Sequence, residues 1–499
     1  MVERPAITEG DETLALTLLQ LDRDSAEPLY RQVRRALENA VTTGMFDPQE
    51  ALPSSRALAI ELGVSRNTIK LAYEELIAAG IVVSRVRKGL FVNPEVQSAL
   101  AGGVQRTSGI DWSRRTRTFP DAGLPHIEKV ADWASYPYPF LAGQTDVRSF
   151  PVRAWQRALR ESLYHPHVFP SLQDSLGVDD PMLVDAIRRQ LLPTRGIEAD
   201  PDEIMITVGS QHGLDLLGRA LLGSKSVVAM EDPGYLDARH IFTRTGATLR
   251  PMAVDADGAI PPEDFGDIDL LYVTPSHQAP TNVTLSMERR LRFVQRAGQA
   301  RSVLVEDDYD SEFRYRGQPS PALKALDPTG DVVYLGTFSK FLSPGLRLGY
   351  LVAHRDLVRE LTQVRRYELR HPPGQLQRAM AIFITSGDYH RALRRHRERL
   401  QQHWTTITGA VERDLPFETG PFPPGGVSLW LRGPEGFDAR ELTTLAREAG
   451  VLVERGDIFF QHSDALARRH FRLGYGAIPT RAITPGVRAL ADVCHDLIR

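Results

Sequence analysis

Apolar residues recur at helical spacing through Val33, Leu37, Ala40 and Val41, between Pro28 and Gly44, which predicts a helix punctuated by proline at its start and glycine at its end. A second, shorter run from Ala57 to Leu62 follows Ser54 and Ser55, either of which can cap it, and stops at Gly63. A third begins at Val64-Ser65-Arg66-Asn67-Thr68 and continues through Ala72, Leu76 and Ile77 to Gly80. The pattern then changes, and residues 81–92 read as two short strands around a basic turn. Periodicity is lost over 94–120, where Asn93-Pro94, Ala101-Gly102-Gly103 and Phe119-Pro120 are turn signals, so this stretch reads as a linker. From about residue 136, β-branched runs at 204–207, 226–230, 270–273 and 302–305 alternate with helical stretches, which predicts a mostly parallel α/β sheet. The expectation is a multidomain chain: a winged helix-turn-helix at 26–93, mainly α with a small β wing, and a large α/β domain at 136–499.

At 499 residues the chain exceeds what one hydrophobic core organises, in keeping with that division. The only cysteine is Cys494, which excludes an internal disulfide and fits a reducing compartment. No apolar run reaches the roughly 18–20 residues of a membrane helix, and the first residues carry acids where a signal peptide carries bases, so the cytoplasm is expected. Net charge is −3, but Ser54 to Asn93 holds six basic residues against three acidic ones. That local excess lies where DNA phosphate would lie.

Gly63-Val64-Ser65 has the proportions of the turn in a helix-turn-helix, with Ser65, Arg66, Asn67, Thr68 and Lys70 at the start of the helix that enters the major groove. Arg87, Lys88 and Gly89 form the tip of the wing. Leu52-Pro53-Ser54-Ser55-Arg56, Leu62-Gly63-Val64-Ser65-Arg66 and Ala72-Tyr73-Glu74-Glu75-Leu76 resemble the GntR family of winged-helix regulators. The resemblance implies operator contacts from Arg56, Arg66, Thr68 and the wing around Gly89. The wing tip departs from the family's Gly-Ser-Gly-Thr-like form and reads Arg87-Lys88-Gly89-Leu90.

Thr337-Phe338-Ser339-Lys340, followed by Arg347, suits a lysine joined as a Schiff base to a phosphorylated aldehyde, with Thr337, Ser339 and Arg347 holding the phosphate. Val208-Gly209-Ser210-Gln211 follows a strand and opens a helix, so its amides offer a phosphate cradle. Tyr235 ends the next strand-and-turn, where a ring can stack on a planar cofactor. In Glu306-Asp307-Asp308-Tyr309, Asp307 can keep a pyridine nitrogen protonated and Tyr309 can donate to a ring oxygen; Asp308 is the alternative by register. Read as a metal pair, the two aspartates lack a completing ligand set, and no metal is expected.

In order and spacing, Ser210, Gln211, Tyr235, Asp307, Tyr309, Thr337, Ser339, Lys340 and Arg347 resemble the type I aminotransferase fold over 136–499. The runs Thr274 to Thr281, Glu306 to Tyr315 and Gly336 to Lys340 look like the MocR/GabR branch of the GntR regulators. That resemblance implies pyridoxal 5'-phosphate (PLP) on Lys340, Arg472 binding the carboxylate of an amino acid effector, and a domain-swapped homodimer on operator DNA. Two departures stand in the 274–282 loop. Gln278 or Ala279 occupies the place of an aminotransferase asparagine, and Asn282 replaces a glycine, which a left-handed backbone accommodates. The function expected is a PLP-dependent regulator that senses an amino compound through an aldimine at Lys340, with at most partial transaminase activity. The alternatives are a working aminotransferase with an accessory DNA-binding domain, and a regulator that senses PLP itself.

Overall fold

The computed structural model describes residues 21–96 except 24 and 26, residues 110–115, and residues 124–498 except 129 and 176. The chain divides into two compact units, 1–117 and 118–499. Of the expected linker, residues 97–109 and 116–120 lie outside the described residues; within the remainder, Trp112–Arg115 forms a short helix.

The first unit holds α1 (Leu29–Thr42), α2 (Ser55–Leu62), α3 (Arg66–Ala78), β1 (Val82–Arg85) and β2 (Gly89–Val92). Its boundaries follow from capping chemistry. Ser54 Oγ accepts the Ala57 N–H, and Ser65 Oγ accepts the Thr68 N–H. Gly63 ends α2 at φ +61°, a left-handed geometry that costs glycine least. Val33, Leu37 and Val41 of α1 meet Ile69, Ala72 and Leu76 of α3 in a small core. The Tyr73 hydroxyl donates to the Pro53 carbonyl at 2.7 Å and ties α3 to the segment before α2. Strands β1 and β2 pair antiparallel from Val82 opposite Val92 to Arg85 opposite Gly89.

The second unit is built on an eight-stranded sheet. Its strands are β3 (Ile204–Thr207), β4 (Val227–Asp232), β5 (Thr248–Asp255), β6 (Gly258–Ala259), β7 (Leu270–Val273), β8 (Val303–Asp307), β9 (Val332–Thr337) and β10 (Gly349–Val352), in the order β3-β10-β9-β8-β7-β4-β5-β6. Pairings from β5 through β4, β7, β8 and β9 are parallel. Strand β10 runs antiparallel to both β9 and β3, and β6 antiparallel to β5, so the sheet is mixed around the expected parallel centre. The central β7 and β8 are buried on both faces, which explains their continuous apolar runs. The helices used below are α4 (Val152–Glu161), α5 (Ser210–Leu221), which leaves β3, α6 (Leu236–Arg244), which follows β4, α7 (Met287–Ala300), α8 (Arg355–Glu368), α9 (Gly374–Thr385) and the 27-residue α10 (Asp388–Asp414). A three-stranded sheet of β11 (Ser428–Arg432), β12 (Glu454–Arg455) and β13 (His470–Gly474) follows, with β13 central. Among the described residues no helix is long and apolar enough to cross a membrane.

Candidate functional site

On the first unit, Arg66, Asn67 and Lys70 are exposed at the start of α3, and Arg56 is exposed in the first turn of α2. The hydroxyls of Ser65 and Thr68 lie 2.8 Å apart, and Ser65 Oγ also caps the helix, so both are engaged in holding the turn. Lys70 Nζ lies 3.5 Å from Glu74. Arg66 Nε donates to Ser55 Oγ at 3.4 Å, linking the two helices of the motif. At the wing tip Arg87, Lys88 and Gly89 are exposed, with Arg87 at φ +61°. Arg85 is held back along the strand, its guanidinium 4.2 Å from the centre of the Phe91 ring.

In the second unit the carboxyl ends of β3, β4, β7, β8 and β9 converge on one cavity, where parallel sheets place ligands. Ser210, Gln211, Tyr235, Asp307, Tyr309, Thr337, Ser339, Lys340, Arg347 and Arg472 all line it. Asp308 does not. Alternation along the strand end turns it the other way, where Arg195 Nε donates to it at 2.7 Å and the Tyr334 hydroxyl at 2.8 Å.

One end of the cavity is an anion cradle. Gly209, at φ +81°, precedes α5 in a backbone geometry that costs glycine least, and the Arg347 guanidinium lies within van der Waals reach of the position a Cβ would take. The first amides of α5 are free donors at a positive helix end. Thr337 Oγ1 accepts the Ser339 N–H at 3.2 Å, while the buried Ser339 Oγ has no hydrogen-bond partner among the described residues. In the middle, the Lys340 amine stands 5.6 Å from the centre of the Tyr309 ring. Burial, then the nearby Arg472 charge, pushes that amine below its ordinary pKa, so a larger share is the neutral nucleophile.

Asp307 is buried and accepts a hydrogen bond from the Tyr272 hydroxyl at 2.9 Å through Oδ2, whereas Oδ1 has no partner among the described residues. Burial raises its pKa to about 7, against the opposing pull of Tyr272 and Lys340. A carboxylate in this state is matched by a cationic ring nitrogen, and the hydroxyl, amides and guanidinium of the cradle are matched by a phosphate. The residues therefore fit PLP on two separate counts.

The 274–282 loop resolves the two departures. The Gln278 amide turns inward, donating to Pro233 O at 2.7 Å and Glu231 Oε2 at 3.2 Å, while its oxygen accepts the Thr281 hydroxyl at 2.7 Å. Ala279 faces the cavity instead and brings no donor. Asn282 sits at φ +60°, the left-handed geometry that replacement of glycine demands, and its amide donates to Ser428 O. The Tyr309 hydroxyl donates to His277 O at 2.9 Å.

Several residues of the site and its support carried no recognisable signal in the sequence. Tyr272, which anchors Asp307, reads as an ordinary strand aromatic. Glu454, in the two-residue β12, accepts from Arg472 Nε at 2.7 Å, and Phe459 lies 4.5 Å beneath the same guanidinium. Ile127, Glu128, Val130 and the segment 141–144 close other walls.

A helix-turn-helix with a basic wing, joined to this sheet and cavity, defines a DNA-binding transcriptional regulator built on an aminotransferase fold. Residues 29–92 match the bacterial regulatory proteins of the gntR family, and residues 128–490 match aminotransferase class I and II. The chain is 38% identical over 467 residues to the HTH-type transcriptional regulator TauR of Rhodobacter capsulatus, covering 93% of this chain and 96% of that one. It is 32% identical over 481 residues to the probable rhizopine catabolism regulatory protein MocR of Rhizobium meliloti, covering 95% of each. Among solved structures it resembles the kynurenine aminotransferase of Pyrococcus horikoshii, with a TM-score of 0.71 and 25% identity over 78% of this chain and 99% of that one. It also resembles LysN, an α-aminoadipate aminotransferase of Thermus thermophilus complexed with a phosphopyridoxyl-leucine, with a TM-score of 0.68 and 27% identity over 78% and 99%. The chain belongs to the GntR family of bacterial regulators, in the MocR/GabR branch that carries an aminotransferase class I and II domain.

Proposed function

We propose that the cavity holds PLP on Lys340 and that the regulator senses an amino compound with an anionic group there. The observation that carries this reading is the unpaired Oδ1 of buried Asp307 in the same cavity as the buried Lys340 amine and the Gly209–Arg347 cradle. When bound, PLP supplies an aldehyde that condenses reversibly with amines and a ring that accepts electrons. The chain's own residues do the rest. Ser210, Thr337, Ser339 and Arg347 hold the phosphate, Tyr235 lies against the ring, and Asp307 keeps a proton on the ring nitrogen. Tyr309 orients the ring's hydroxyl edge, and Lys340 supplies the displaceable amine. Arg472 takes the effector's anionic group, a task suited to a guanidinium fork.

Arg56, Arg66, Asn67, Lys70 and the wing read the operator, with Ser65 and Thr68 setting the entry of α3. The large unit exposes Tyr164, Phe169, Leu172 and Val178, each at 65% or more, a density of bare apolar groups that supports a homodimer, with the winged helices exchanged between copies. Control of DNA requires that the effector favour one of two states of the large unit.

Purified protein titrated with PLP is expected to gain an absorbance band near the visible edge that Lys340→Ala lacks. A candidate amine is expected to change both that band and operator affinity. Failure to retain PLP, or sustained product formation from an amino acid and a keto acid, overturns the sensor reading.

A further inference from the structure

We propose that the large unit carries a DNA-binding surface of its own, made by residues 146–161 and the first half of α10, which takes the phosphate backbone of duplex outside the bases read by the winged helix. The proposal rests on the DNA-binding reading of the first unit and extends it to a face that the family's winged-helix motif does not include.

Residues 146–161 and 388–402 contain nine arginines, no lysine and four carboxylates, an excess of five positive charges in a chain whose net charge is −3. The two segments, more than 200 residues apart in sequence, form one surface. Arg157 of α4 donates to Asp388 at the start of α10 at 3.1 Å, and Arg399 lies 4.0 Å from Asp146 three turns later. The carboxylates that join the segments are already consumed: Asp146 holds Arg148 at 2.9 Å, and Asp388 holds Arg391 at 2.8 Å as well as Arg157. Arg153, Arg160, Arg394 and Arg395 are exposed and form no ion pair with the described residues. Crowded positive charge is felt locally. Burial, then the neighbouring Arg399 and His403 charges, pushes His396 on the inner face of α10 down to about 3.

An ordinary solvated helix face interleaves both signs; this one shows Arg391, Arg394, Arg395 and Arg397 over two turns against Glu398 alone. Arginine, which supplies most of the chain's basic residues, suits forked recognition of phosphate oxygens. The excess is larger than that of the winged helix, so the electrostatic part of DNA affinity is not confined to the reading head.

The test compares full-length protein with the quadruple variant Arg153→Glu, Arg160→Glu, Arg394→Glu and Arg395→Glu, and with the same four positions as Gln. The probe is a fluorescent 60-base-pair random-sequence duplex at several salt concentrations. Wild-type affinity is expected to fall steeply with salt, and every phosphate that is no longer neutralised flattens the slope by about 0.9. The Glu variant is expected to bind at least about tenfold more weakly at low salt with a slope reduced by about 3.6, that is four contacts at about 0.9 each, and the Gln variant to lie between it and wild type in affinity. Both should melt and sediment as wild type does. Equal affinity and slope in folded variants overturn the proposal. So does a changed sedimentation coefficient, which would mean that a second copy covers the surface. Wild-type protein that binds no duplex would overturn both this proposal and the reading of the winged helix, whereas an Arg66→Ala control that weakens binding while the Glu variant does not overturns this proposal alone.

Discussion

Replacing Asp307 by asparagine should stabilise the cofactor-free protein above neutral pH while weakening its hold on PLP. Burial lifts the Asp307 carboxyl to about 7 from an ordinary value of 3.8, even against the pull of Tyr272 and Lys340. A carboxyl raised in this way favours the folded state while protonated. Its contribution is complete below the unfolded pKa and is lost as pH rises through the folded one. At pH 8 the loss amounts to about 4 kcal/mol, and between pH 5 and pH 8 to about 3 kcal/mol. Asparagine removes this titration yet keeps an acceptor for the Tyr272 hydroxyl, which donates to Oδ2 at 2.9 Å in the parent. Buried Glu306 and Glu312 are also raised to about 7 by burial, but they titrate in both proteins and cancel in the difference; Glu231, raised likewise, feels the Asp307 charge and should titrate somewhat lower in the variant. Urea unfolding of cofactor-free protein at pH 5 and pH 8 measures the effect. The variant should lose about 3 kcal/mol less than the parent between those pH values. With PLP present the order should reverse, because the ring nitrogen pairs only with the parent carboxylate. A variant with the parent's pH dependence, or one that gains more from PLP than the parent, would refute the assignment of Asp307.

Ser65→Ala is expected to destabilise the winged helix by about 1 kcal/mol through the lost cap on α3, seen as a lower melting midpoint of that unit. Arg66→Ala should weaken operator binding by about 1–3 kcal/mol and relax base preference, whereas Arg87→Ala with Lys88→Ala should weaken it evenly across sequences and flatten the salt slope by about 2, both read by fluorescence anisotropy. Arg472→Lys keeps the charge but loses the fork, so the effector concentration needed to shift DNA affinity should rise at least about tenfold with the PLP absorbance unchanged. Glu454→Gln removes the carboxylate now 2.7 Å from Arg472 Nε and should lower the effector concentration required, because the anionic group of the effector no longer competes with it.

What the sequence made legible was local. Ser54 and Gly63 mark the ends of a helix because capping is settled within three or four residues, and the structure places both in those roles; Ser65, read only as part of the DNA-facing helix start, also caps it. Lys340 with its hydroxyl neighbours, the Gly209 turn and Asp307 stand at strand ends, so strand register alone brings them to one edge of the sheet. Asn282 was readable for the same reason, since a left-handed residue is a property of one turn. What stayed hidden is convergent. Whether Gln278 or Ala279 faces the cavity depends on Glu231, 47 residues earlier, which accepts the Gln278 amide and draws it inward. The antiparallel β10 was hidden too, because a run such as Gly349–Val352 has the same composition in either direction. Glu454 meets Arg472 only because β12 pairs with β13, a pairing that no window of sequence contains. The arginine surface is the extreme case. Its two segments lie far apart in the chain, and only the ion pairs Arg157–Asp388 and Arg399–Asp146 bring their arginines onto one surface. Charge counted along a chain therefore underestimates charge met by a ligand wherever tertiary structure joins distant segments and spends their carboxylates on the joining.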